Sequence, residues 1–230
     1  MAGRDTPRDE DPDDAENHEP TIKRRIFAEG RLRTGLAGGG AFRWALADLS
    51  DVVETARGRL DLSPVASAAL GRLMAASALL LRMAAKTPVR LTLDVQGDGP
   101  IGRVIAQADE DGHLRGLVGQ PRVEVPDLPS GKLAVGRAVG AGYLRVLREH
   151  RRGTYHSQVA LVTGEIGDDV AHFLEQSEQS NTAVLVGVLG RHQGVAAAGG
   201  MVIETLPGAS EEGVAALETN LAGMPGISWL

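Results

Sequence analysis

The chain has 230 residues, of which 43% are hydrophobic, only 3% are aromatic and none is cysteine. A folded body of about 200 residues buries roughly 70% of its unfolded surface, so a core of Leu, Val, Ile and Ala is within reach, whereas disulfides, thiol chemistry and thiolate zinc sites are excluded. The formal net charge of −6 comes from residues 1–22, which hold eight carboxylates and two arginines; the remaining 22 acidic and 22 basic residues balance, which argues against a phosphate-binding surface spread over the fold.

Residues 1–22 carry three prolines and almost no large apolar side chain, and are expected to form a disordered acidic tail. The fold is expected to begin near Arg25 or Ile26. Gly35 to Gly40 reads as a flexible turn, since the order of strand, helix and acidic residue that a dinucleotide loop requires is missing, and Phe42 to Leu46 reads as a strand. Ser63-Pro64 is a helix start, with the serine as cap and the proline in the first turn. Val65, Ala69, Leu73, Ala76, Leu80 and Met83 then recur at helical spacing until Thr87-Pro88, giving a long buried helix over 64–86. Its longest apolar stretch, Leu73 to Leu81, lies between Arg72 and Arg82 and is too short to cross a bilayer.

Val89 to Val95, Ile101 to Ala108 and His113 to Val118 read as three strands joined by tight turns, an antiparallel meander in which Gly116 and Gly119 mark a bulge or a close backbone contact. Tyr143 to Leu147 and Tyr155 to Val162 form a hairpin around the basic turn Arg148 to Gly153. Asp168 and Asp169 open a helix that runs to Ser180, with carboxylates at its positive end. Ala183 to Leu189 and Ala196 to Ile203 make two further strands. Ser210 caps a short helix with Val214, Leu217 and Leu221 on one stripe, stopped by Gly223-Met-Pro225, and the chain closes on Ile227-Ser-Trp229-Leu230.

No constellation carries a reaction. Glu165, Asp168 and Asp169 lack the ladder of oxygen ligands that a hard cation needs and are explained by capping. His150, His156, His172 and His192 are not spaced as zinc ligands, and neither Ser157 nor Ser177 sits in a nucleophile elbow. Glu178 lies near the negative end of its helix, where a bare carboxylate is disfavoured by about 0.3–1 kcal/mol, so it is expected to hold a basic side chain or backbone amides of the neighbouring sheet.

The stretches Gln96-Gly-Asp-Gly-Pro-Ile101 and Gly164 to Ser180, together with Arg115-Gly116, Gln120-Pro121, Gly140 to Leu144, Tyr155 to Val159 and Ala198 to Met201, resemble the core domain of the heat-shock-protein-33 family, the redox-regulated holdase chaperones. The resemblance covers roughly Ile26 to Pro207. It implies an α+β fold of mostly antiparallel sheet packed with two main helices, and a division into tail (1–22), core (23–207) and linker helix segment (208–230). It marks Gly97, Gly99, Pro100 and Glu178 as structural. It also implies ATP-independent capture of unfolding proteins, with no enzymatic activity; because the start lacks the layout of a secretory signal and no apolar stretch spans a bilayer, a cytoplasmic protein with no membrane partner is expected. Family members usually continue into a cysteine-rich zinc module whose oxidation unmasks the linker and adjacent core. This chain has no cysteine, so it is expected to be cut within that linker, to carry no zinc or other cofactor, and to bind clients without redox control. The expected client-binding residues are Val214, Leu217, Leu221, Met224, Ile227, Trp229 and Leu230. A homodimer formed by segment exchange is also expected. Two rival readings are an RNA- or ribosome-binding module that uses Arg148 to Arg152 with Lys23 to Arg25, and a small-molecule enzyme, which would need a deep polar pocket with perturbed titratable groups.

Overall fold

The computed structural model describes residues 29–84, 86, 88–191 and 194–224. The acidic segment 1–22, the basic run Lys23 to Arg25, and His192, Ile227, Trp229 and Leu230 lie outside the described residues. The fold is α+β, with two antiparallel sheets. The first contains β1 (Arg31–Ala37), β2 (Phe42–Asp48), β8 (Thr182–Arg191) and β9 (Gly194–Thr205) in the order β1-β2-β9-β8. The second contains β3 (Arg90–Gly97), β4 (Arg103–Asp109), β5 (Leu114–Val118), β6 (Gly142–His150) and β7 (Gly153–Ala160) in the order β5-β4-β3-β6-β7. The expected meander is β3-β4-β5, and the expected basic hairpin is β6-β7.

The helices are α1 (Ser50–Leu60), α2 (Pro64–Met83), α3 (Val135–Val139), α4 (Gly167–Glu178) and α5 (Glu211–Ala222). The core is organised by α2, which packs against strands of both sheets and buries 17 of its 20 residues. Ser63 caps it by accepting from the Ala66 amide at 3.3 Å, and Pro64 occupies its first turn. Its many alanines let the sheets approach closely. By length and composition α2 could cross a membrane, yet most of it is buried inside this fold, and its Arg72 reaches Glu165 at 2.6 Å.

Three expectations need correction. Gly35 lies within β1 rather than in a turn, because the Trp44 ring packs over it: a Cβ there would lie 2.6 Å from that ring. Only Gly38–Gly40 form the connection, as a single 3-10 turn. The long helix ends at Met83 rather than Lys86, where Arg43 donates to the Met83 carbonyl at 2.7 Å. Of the two roles expected for Gly116 and Gly119, close contact holds: a Cβ at Gly119 would lie 3.0 Å from the Ile101 oxygen, and one at Gly116 would lie 2.6 Å from Leu70 of α2 and 3.3 Å from the Ile105 oxygen, while the register irregularity falls between Leu189 and Gly190. Helices α1 and α3 are additional elements. Asp48, one residue before the N-cap Leu49 of α1, accepts from the Ser50 amide at 3.1 Å and the Ser50 hydroxyl at 2.7 Å.

The Gln96 to Ile101 corner is pinned to α3. The amides of Asp98, Gly99 and Ile101 donate to the carbonyls of Ala141, Val139 and Ala138, at 2.8, 2.9 and 3.0 Å. A Cβ at Gly97 would lie 1.9 Å from the Val139 oxygen, and one at Gly99 would lie 2.4 Å from the Ala138 oxygen, so only glycine fits this approach. Pro100 sits exposed at the apex.

Candidate functional site

The carboxylates before and within α4 are engaged by protein donors. Asp169, fully buried, accepts from the amides of Val162 (2.7 Å), Thr163 (3.0 Å), Gly164 (3.3 Å) and Ile166 (3.0 Å). Ile166 is a β-branched residue at φ 69°, a strained conformation that this ring of amide contacts holds in place. Glu165 accepts from the Gly136 amide at 2.9 Å and pairs with Arg72, tying the corner to α3 and α2. Asp168 accepts from the Thr163 hydroxyl at 3.2 Å. The three acids therefore cap and clamp.

Glu178 pairs with Arg148 of β6, whose guanidinium also lies 5.5 Å from the Phe173 ring centroid. Arg151 pairs with Glu110 at 3.6 Å. The basic turn thus spends two of its three arginines on carboxylates of the fold, which weakens it as a phosphate-binding surface. A further cluster, Asp109, Asp111 and His113, escaped the sequence reading because it straddles the β4–β5 turn. Asp109 already accepts from the His113 amide at 2.9 Å and lies 3.6 Å from Arg115.

The surface suited to binding emerges from strand pairing. Ala45, Ala47 and Val202 point into the core, so the alternate residues of β2 and β9 face outward. Register aligns Leu46 with Met201 and Leu185, and Trp44 with Ile203 and Ala183. The result is an apolar outer face on the first sheet, with Leu46 41% exposed and Trp44, Leu185 and Met201 half-buried. Phe42 lies at one end of this face, and α5 starts against it: a Cβ at Gly213 would lie 3.8 Å from the Phe42 ring.

Ser210 caps α5 through the Gly213 amide at 3.1 Å. Val214, Leu217, Leu221 and Met224 are half-buried while the positions between them are exposed, so the stripe expected to bind clients faces the body of the protein. No residue of α5 is buried, and the helix touches other elements only sparsely. Sequence periodicity reveals that stripe. It does not reveal Trp44, Leu46, Leu185 and Met201, which become one surface only when strands distant in sequence pair.

This geometry defines an α+β protein that presents apolar surface and a lightly held amphipathic helix. The sequence model described as Hsp33 protein matches residues 30–229. The 33 kDa chaperonin of Thermus thermophilus is 50% identical over 202 residues, covering 86% of this chain and 59% of the relative. That of Nostoc punctiforme is 47% identical over 180 residues, covering 77% and 60%. The crystal structure of the 33 kDa chaperonin (heat shock protein 33 homolog) of Thermotoga maritima superposes with a TM-score of 0.83 at 37% identity, covering 89% of this chain and 70% of that one. The chain belongs to the Hsp33 family. It spans about six tenths of the length of these curated relatives.

Proposed function

We propose that this chain is an ATP-independent holdase, which captures unfolding proteins on apolar surface and performs no reaction. The observation that carries this reading is the outer face of the first sheet, with Trp44, Leu46, Leu185 and Met201 contiguous and α5 only sparsely packed. Exposed apolar patches of this kind mark binding surfaces, and a non-directional hydrophobic contact suits clients of varied sequence. The relatives named chaperonins support the same reading. Two apolar surfaces can act together: the α5 stripe, Val214, Leu217, Leu221 and Met224, and the sheet face beyond Phe42.

With no cysteine in the chain, capture is independent of thiol oxidation and of a thiolate-bound zinc. The site of action is the cytoplasm, and two copies exchange segments to form a dimer. Charging the stripe tests the assignment: Leu217→Asp with Leu221→Asp should at least halve the suppression of light scattering by a thermally unfolding client. Suppression equal to that of the unsubstituted chain contradicts the role of α5.

A further inference from the structure

A groove of about 920 Å³ lies between β1, the outer strand of the first sheet, and β5, the outer strand of the second, over a floor from α1 and α2. Among the described residues each of these strands has a ladder partner on one side only, β2 for β1 and β4 for β5. The other side of an outer strand carries backbone amides and carbonyls outside any ladder, which is a template for a further strand. Leu32, Val52, Ala56, Leu60 and Leu114 line the groove and are only half-buried, although each packs against the core. Charge contributes little here, because Arg115 on the rim lies 3.6 Å from Asp109, which lines the same groove.

We propose that this groove binds an extended, uncharged segment of another polypeptide, which adds a strand between β1 and β5 and sets alternate apolar side chains on the floor. Free edges on both walls offer backbone partners that a helix, whose own amides are already bonded, cannot use. The apolar floor takes one face of a strand, since successive side chains point to opposite faces. The two edge strands are seven and five residues long, so a segment of that size, about 17–23 Å when extended, matches them. Backbone pairing supplies affinity whatever the side chains are, which suits segments of varied sequence. The proposal rests on the holdase reading only for the source of the segment, an unfolding client.

The probe is a capped heptapeptide that alternates threonine and valine, added to the ¹⁵N-labelled full chain. It should shift the amides of Leu32, Ala56 and Leu114 and slow hydrogen exchange within 31–34 or 114–116. The same peptide N-methylated at its valines, or separately at its threonines, keeps every side chain and loses the donors of one edge. At least one of the two should bind about tenfold more weakly, the worth of one or two backbone hydrogen bonds. Ala56→Trp fills the floor and should abolish the shifts, whereas raising the salt to about 0.5 M should not. Peptide binding is read without any client, so it holds or fails separately from the suppression of aggregation. Four results overturn the proposal: no shifts at the groove, including shifts centred instead on Trp44, Leu46 and Met201; both N-methylated peptides binding as the parent does; no exchange protection in either strand; or undiminished binding to folded Ala56→Trp. The N-methylated peptides decide the matter even where that variant does not fold.

Discussion

Asp169 shows how one buried carboxylate can fix a corner. It is the shared acceptor of four amides on a segment where Ile166 holds a positive φ. Hydrogen bonds to a charged acceptor contribute about 1.5–3 kcal/mol each, and unmet buried donors are costly. Asp169→Asn, which keeps the shape and loses the charge and one acceptor oxygen, should lower the unfolding free energy by about 3 kcal/mol in urea titration. Asp168→Asn next to it should change stability by less than about 0.5 kcal/mol. Equal effects would show that the corner is not held by Asp169.

Asp48 and Glu54 act at the pH scale. Hydrogen bonds from the Ser50 hydroxyl and amide, with Arg31 nearby, hold the Asp48 carboxyl below its ordinary value of 3.8. The Arg57 guanidinium, with the Val195 amide, holds Glu54 below 4.5. Both groups are more acidic folded than unfolded. Their contribution is complete above about pH 4.5 and fades as pH falls through their lowered folded values. Asp48→Asn with Glu54→Gln should therefore flatten the loss of melting temperature below pH 4.5. An unchanged acid slope would contradict this origin.

At the scale of elements, the Gln96 to Ile101 turn depends on backbone packed against backbone. Gly97→Ala would press a methyl group into the Val139 carbonyl, which has no rotamer by which to yield. The substitution should cost about 3 kcal/mol or more, or prevent folding, measured by thermal melting. Pro100→Ala at the exposed apex should leave the melt nearly unchanged.

Elements with strong local signals were legible from sequence. The Ser63-Pro64 start and the apolar period of α2 gave that helix to within three residues, and turns placed β3, β4 and β5. Helix α1 was hidden because Val52, Val53, Ala56 and Leu60 are its only apolar anchors and a glycine run precedes its strand. With five residues, α3 is too short for a period to show. Strand β1 was read as a turn at Gly35 because the Trp44 ring that occupies the space above that glycine belongs to the next strand.

For the whole molecule, the candidate surface was only half legible. The α5 stripe is local, three or four residues between contacts, and can be read directly. The outer sheet face needs β2 to pair with β9, about 155 residues later, and β9 with β8. Helix α2 is buried between two sheets, and the apolar face of the first sheet together with a sparsely packed α5 lies at the surface of that body.

The most direct measurement is aggregation of a thermally unfolding client in the presence of the full chain and of its Leu46→Asp, Met201→Asp variant, both first shown to be folded by circular dichroism. The account predicts that the unsubstituted chain keeps the client dispersed without nucleotide and that the variant loses most of this protection. Client that aggregates equally with and without the unsubstituted chain, or full protection by the folded variant, would contradict it.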